Sequence, residues 1–104
     1  MAKILPRLDH VVVDVRERLA EALAVYRKLG FHMTERSTHT MGSSNHLAVF
    51  ETDYLELLGI DSKAAAARPE IASFPVGLNG LVFVADDPDR LYGELKASAL
   101  PALE

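Results

Sequence analysis

The sequence contains no cysteine, which removes a disulfide framework, a thiolate zinc site and a cysteine nucleophile at one stroke. Any metal would have to be held by histidine and carboxylate side chains. There is no basic cluster either. Eleven Lys and Arg stand against 15 Asp and Glu, giving a formal charge of −4 and a pI near 5.5. The cations are scattered, so nucleic acid is not an expected partner. Nowhere do about 18 apolar residues run together, as a membrane span requires. The start, Met1 to Arg7, carries a charge but no apolar core of a signal peptide, so no membrane partner is expected and the cytoplasm is the expected compartment. At 104 residues the chain is one small domain, long enough to bury a core without covalent staples.

What is there is organised around Leu8-Asp9-His10-Val11-Val12-Val13-Asp14-Val15. The β-branched run reads as a buried strand whose period of two puts Leu8, His10, Val12 and Asp14 on one face and Asp9, Val11, Val13 and Val15 on the other. His10 alone can be a partly buried histidine with both ring nitrogens satisfied by neighbours. A second stretch, Tyr54-Leu55-Glu56-Leu57-Leu58-Gly59-Ile60, has the same anomaly: one ionisable group, Glu56, inside an apolar strand. A buried carboxylate is costly unless something pairs with it. If the two strands are neighbours with these faces on one side, His10 and Glu56 can ligate one divalent metal or act as an acid/base pair.

Between them, Asp14-x-x-Glu17 fits a capping box, and Leu19, Ala22, Leu23, Tyr26 and Leu29 recur at helical intervals. Arg27 and Lys28 suit the last turn, and Gly30 supplies the positive φ of a helix stop. Phe31 to Ser37 alternates as a half-exposed strand. Thr38 to Asn45 is rich in turn formers and reads as a loop. His46 to Phe50 and Tyr54 to Ile60 then form a hairpin about Glu51-Thr52-Asp53, where Glu51 and Asp53 are solvated turn residues. Residues 61–77, with an alanine run, Pro69 and Pro75-Val76-Gly77, form a connector. Leu78 to Ala85 is a further strand; Asp87-Pro88 opens a helix with Leu91, Tyr92 and Leu95 on its apolar face, running to Ala99 before Pro101.

The ending repeats the beginning, displaced by about 70 residues: strand, acidic cap, amphipathic helix. Leu8 answers to Leu78, Val12 to Val82, and His10 to Gly80. The expected architecture is α+β: a βαβββ module over 1–60, a connector over 61–77, and over 78–104 the first strand and helix of an incomplete second module within the same structural domain.

A βαβββ unit with His in its first strand and Glu in its fourth, followed by the start of another, resembles the vicinal oxygen chelate superfamily, which holds glyoxalase I, extradiol dioxygenases and bleomycin-type resistance proteins. Its glyoxalase-like domain branch is the nearer resemblance. The motifs are Leu8-Asp9-His10-Val11-Val12, Leu29-Gly30-Phe31, His39 followed by Gly42-Ser43-x-Asn45, and Tyr54-Leu55-Glu56-Leu57. In that superfamily two modules pair into a cupped sheet, and each can lend a metal ligand from its first and fourth strands. The resemblance puts His10 and Glu56 at those positions, with Zn, Ni, Fe or Mn as the candidate metal. Gly80 cannot ligate, so a full site needs more than one copy of these residues: a homodimer, or a further C-terminal module.

Around this pair, His39, Asn45, His46 and Tyr54 are the candidate contacts for a small-molecule ligand. For Asn45 turn chemistry, for His39 surface exposure and for Tyr54 simple core packing are the competing readings. Two classes of function follow. In a metal-dependent enzyme of the lyase or dioxygenase type, Glu56 is the catalytic candidate, ligating the metal or shuttling a proton on a small oxygen-bearing substrate. In a binding module of the resistance type the same cup holds a ligand without chemistry; an inactive fragment of a longer two-module protein is the remaining alternative.

Overall fold

A computed structural model of the chain describes residues 6–39, 42–69 and 73–98. The element order is β1 (Arg7–Arg16), α1 (Leu19–Lys28), β2 (Ser37–Thr38), β3 (Ser43–Val49), β4 (Tyr54–Ile60), α2 (Ser62–Ala66), β5 (Gly77–Val84) and α3 (Pro88–Ala97). The strands make one mixed sheet in the order β2-β3-β4-β1-β5, in which β1 and β4 run parallel and the other neighbours antiparallel. This is the mixed α+β arrangement of a βαβββ module with a fifth strand added beside β1.

Register decides what shares a face. His10 lies opposite Tyr54, Val12 opposite Glu56, and Glu56 opposite Leu47, with Asn45 opposite Leu58 and Ser43 opposite Ile60. Directly paired residues project to the same side. One face of the sheet therefore carries His10, Val12, Asp14, Ser43, Asn45, Tyr54 and Glu56. The other face carries Val11, Val13, His46, Ala48, Leu55 and Leu57, and α1 covers it. Leu57 is fully buried, with Leu19, Ala48 and Ile60 also in the core. Leu19 seats on the backbone of Gly59: a Cβ there would come within 2.8 Å of the Leu19 Cβ, so the glycine is what lets helix and strand approach.

Helix α1 spans the expected residues and stops where Gly30 adopts φ 103°. Its start differs from expectation. Arg18 holds the N-cap position without a side-chain cap, and the capping box of Asp14 and Glu17 does not form. Asp14, 1 % exposed, instead accepts the Arg16 backbone N–H at 2.9 Å and pairs with the Arg16 guanidinium at 3.2 Å. That local bonding holds Arg16 at φ 51°, the left-handed turn that ends β1 before the helix.

The strand expected over Phe31 to Ser37 is reduced to a single bridge at Met33 and the short β2. At Thr34 the side-chain hydroxyl accepts the Leu47 N–H at 2.9 Å, replacing a ladder bond with a side-chain one. The expected loop from Thr38 is correspondingly shorter, because β3 begins at Ser43; Thr40 and Met41 lie outside the described residues. The connector over 61–77 holds a turn of helix, α2, capped by Asp61, which accepts from the Ala64 N–H. Helix α3 has the expected Asp87 cap and Pro88 start and ends at Ala97; the expected extension to Ala99 and the stop at Pro101 lie outside the described residues.

The ladder between β1 and β5 makes the 70-residue repeat exact. Val11 faces Leu81, and a shift of 70 turns each remaining pair into another observed pair: His10 and Val82 into Gly80 and Val12, Leu8 and Phe83 into Leu78 and Val13, Arg7 and Val84 into Gly77 and Asp14. Both irregularities obey the same operation. The residue left out of register on β1 is Asp9 and that on β5 is Asn79. The two copies of the motif thus pair about a local two-fold axis through Val11 and Leu81.

Candidate functional site

The face opposite α1 carries the polar groups, and β1, β3 and β4 position them. Neighbouring parallel strands set His10 and Glu56 side by side, with His10 Nε2 3.5 Å from Glu56 Oε1 and both side chains largely withdrawn from solvent. The imidazole lies flat on the Tyr54 ring, centroids 4.3 Å apart and planes 8° from parallel. His10 Nδ1 donates to Asp9 Oδ2 at 2.8 Å. Strict alternation puts Asp9 on the far side of the sheet, but the bulge on β1 re-aims it toward its neighbour. With Nδ1 carrying its proton toward Asp9, Nε2 is the nitrogen presented to Glu56.

From the other side Asn45 Nδ2 donates to Glu56 Oε2 at 2.9 Å. The same amide nitrogen lies 3.3 Å from His39 Nε2, and His39 Nδ1 lies 3.2 Å from the buried Ser43 Oγ. Glu56 thus has one oxygen held by Asn45 and the other turned to His10. Burial, and after it the negative charges of Asp9 and Glu56, raise the Tyr54 phenol above its ordinary value.

Of the six candidate residues, His10, Glu56, Tyr54, Asn45 and His39 come together on this face. His46 does not. It directly follows Asn45 on β3, so the period of two turns it to the α1 side, where it is buried and its Nδ1 donates to the Thr34 carbonyl at 2.8 Å. It is a structural histidine, and its place among the ligand contacts is corrected accordingly. Asp9 and Ser43 were not anticipated. The signal for Asp9 lies in the repeat, since the aligned Leu8-Asp9-His10 and Leu78-Asn79-Gly80 each put a polar residue at the bulge.

As metal ligands, His10 and Glu56 fit in part. Two ligands at about 2.1 Å from a tetrahedrally coordinated metal stand roughly 3.4 Å apart, close to the separation found here. Among the described residues, however, no three His, Asp or Glu side chains converge on a common point. Gly80, the two-fold mate of His10, adds no donor, and a Cβ at that position would stand 3.0 Å from the Val12 Cβ. One chain offers two ligands of a site that wants three or more.

The fold recurs in solved structures of known proteins. The chain superposes on methylmalonyl-CoA epimerase from Mycobacterium tuberculosis with a TM-score of 0.70 at 18% identity, over 100% of this chain and 72% of that one. A Streptomyces coelicolor methylmalonyl-CoA epimerase variant solved with 2-nitronate-propionyl-CoA gives 0.71 at 19% identity, covering 96% and 74%. A methylmalonyl-CoA epimerase in complex with methylmalonyl-CoA and NH4+ gives 0.70 at 19%, with the same coverage. At such identities the likeness is one of fold. No curated protein matches the chain. No helix among the described residues is long and apolar enough to cross a membrane. The glyoxalase-like domain profile matches residues 8–101, nearly the whole chain. The protein belongs to the glyoxalase-like domain family.

Proposed function

We propose that the chain supplies one His-Glu half of a divalent-metal site and works as a metal-dependent enzyme on a small oxygen-bearing substrate. The observation that carries this reading is the 3.5 Å approach of His10 Nε2 and Glu56 Oε1. With the Nδ1 proton committed to Asp9, a nitrogen lone pair and a carboxylate oxygen face each other in a partly buried place. Two electron-rich groups hold that position only around a positive centre, a proton or a metal ion. Nothing else among the described residues completes a ligand set, so the remaining ligands come from a second module. For the chain by itself that module is a second copy, whose own His10 and Glu56 bring the total to four.

A bound divalent ion would polarise a substrate carbonyl and acidify the carbon beside it. The chain's residues do the rest. Tyr54 and Asp9 fix the His10 ring, and Glu56, its Oε2 held by Asn45, presents Oε1 beside His10, where it would ligate the ion or take up and return a proton. The fold likeness to methylmalonyl-CoA epimerases supports proton transfer beside a carbonyl as the reaction class.

A binding module without chemistry is the second reading, and Gly80 favours it, since the two-fold mate of His10 has no donor. Calorimetric titration of the purified chain with Zn2+, Mn2+, Ni2+ and Fe2+, with thermal midpoints and sedimentation alongside, separates the two. The enzyme reading expects one metal per two chains, a raised midpoint, and loss of both in His10→Ala. A monomer showing no heat and no change in midpoint overturns it in favour of metal-free binding.

A further inference from the structure

The groups outside the His10 and Glu56 pair have a polarity that can be worked out from donors and acceptors alone. Asn45 meets Glu56 Oε2 and His39 Nε2 through one and the same nitrogen, Nδ2, at 2.9 and 3.3 Å. An ionised carboxylate only accepts, which fixes the amide with its NH2 toward Glu56. An NH2 group has two hydrogens and accepts from neither side. His39 Nε2 must therefore be an acceptor, so the proton of the neutral ring sits on Nδ1, where it donates to Ser43 Oγ. Ser43 is 2 % exposed and Asn45 8 %, on the same face of the sheet as Glu56, while His39 is exposed at the rim.

No proton can travel along this chain, because Asn45 donates in both directions and takes up nothing. It is not a relay from solvent to Glu56. We infer that Asn45 is a positioning residue, a two-donor brace clamped between His39 and Glu56, which holds Oε2 and leaves Oε1 as the single oxygen turned toward His10. His39 and Ser43 are the outer anchor of the brace. The motif His39 followed by Gly42-Ser43-x-Asn45 then has one purpose: Ser43 and Asn45, two apart on β3, present their side chains to the same imidazole.

The effect on metal affinity rests on the proposed function; the hydrogen-bond polarity does not, and one set of experiments separates the two. In 15N NMR of the full chain, His39 is expected as the Nδ1–H tautomer, and the Asn45 NH2 group as slow to exchange. In His39→Ala, where only an exposed ring is lost, one of the two Asn45 amide protons should move and exchange faster while the other keeps its contact to Glu56. An Nε2–H tautomer at His39, or Asn45 amide protons indifferent to His39→Ala, overturns the brace whether or not metal binds. The second arm titrates Zn2+ into wild type and Asn45→Leu, a near match in volume that lacks both donors. Affinity is expected to fall about tenfold or more in a variant whose metal-free melting shows it folded; unchanged or tighter binding overturns the positioning role. Should Asn45→Leu not fold, His39→Ala takes its place, with a smaller loss in the same direction. Wild type that takes up no Zn2+ refutes the metal reading, and the tautomer then decides the brace alone.

Discussion

β1 and β5 are two copies of one motif, paired about a local two-fold, and they live in different surroundings. β1 lies between β4 and β5, with α1 over one of its faces, and its four valines are half-buried. β5 is at the edge of the sheet, with Leu78 65 % exposed, Leu81 60 % and Phe83 52 %. Helix α1 buries Leu19 against β4, whereas α3 buries no residue. The radius of gyration is 15.8 Å, against about 13 Å for a compact chain of this length, and the extents are 47 × 34 × 22 Å. Equal apolarity with unequal burial shows that position in the sheet, and not apolarity alone, decides how far each copy is buried. An apolar edge strand of eight residues is the kind of surface that invites pairing with another chain.

Substitutions at two-fold mates should differ most in their cost to stability. Asp14 and Val84 are such mates. Asp14→Ala removes a 1 % exposed carboxylate from the Arg16 guanidinium and from the turn at Arg16, at an expected cost of about 3–5 kcal/mol by urea denaturation. Val84→Ala, on a side chain 40 % exposed, should stay within about 1 kcal/mol. Next in size, Leu57→Ala opens the core at about 2–5 kcal/mol, while Leu81→Ala in the chain by itself should cost about 0.5 kcal/mol or less. A Leu81 penalty that grows with protein concentration would show β5 buried against another copy.

Two glycines carry the comparison to smaller effects. At Gly59 an added Cβ would stand 2.8 Å from the Leu19 Cβ in the packed layer between α1 and β4, and Gly59→Ala should cost about 1–3 kcal/mol. At Gly80 the obstacle is Val12 at 3.0 Å, but the edge strand can give way. Gly80→Ala should cost less than Gly59→Ala when both are melted under one condition; the reverse order would mean that β5 is as rigidly held as β4.

Much of this arrangement is legible in the residues, because it rests on local signals. The valine run of β1, the spacing of α1 up to Gly30, the apolar strand around Glu56 and the repeat all appear in the fold. What was not legible depends on partners distant in sequence. Ser43, Ser44 and Asn45 have turn composition, yet they are strand, since Ile60, Gly59 and Leu58 offer them a ladder and His39 and Glu56 satisfy two of their side chains. The capping box fails because Asp14 has a closer cation in Arg16. Asp9 escapes the alternation rule through a bulge that no single strand reveals. His46 shows the converse: a histidine next to Asn45 on β3 lies on the opposite face by the period of two, where it donates to the Thr34 carbonyl.

The smallest expected effect concerns Tyr54, on the well-surrounded side of the comparison. Burial first, then the charges of Asp9 and Glu56, disfavour its phenolate in the folded chain, so its folded pKa exceeds its unfolded one. The sign follows from which state gives up the proton more easily. Below the unfolded pKa both states keep it, and the contribution of Tyr54 to stability is fully present. As pH rises past the ordinary tyrosine range, near about 10, the unfolded chain ionises first, and the contribution is lost as pH climbs through the folded pKa. Tyr54→Phe retains a ring of the same shape for the 4.3 Å stack on His10 and has nothing to ionise. Urea midpoints for both proteins at steps from about pH 8 to about pH 11 should therefore run in parallel at first, with wild type falling away at the alkaline end. Tyr26 and Tyr92 are common to both proteins and cancel in the difference. Curves that stay parallel throughout would mean that the phenolate of Tyr54 meets no more opposition in the folded chain than in the unfolded one.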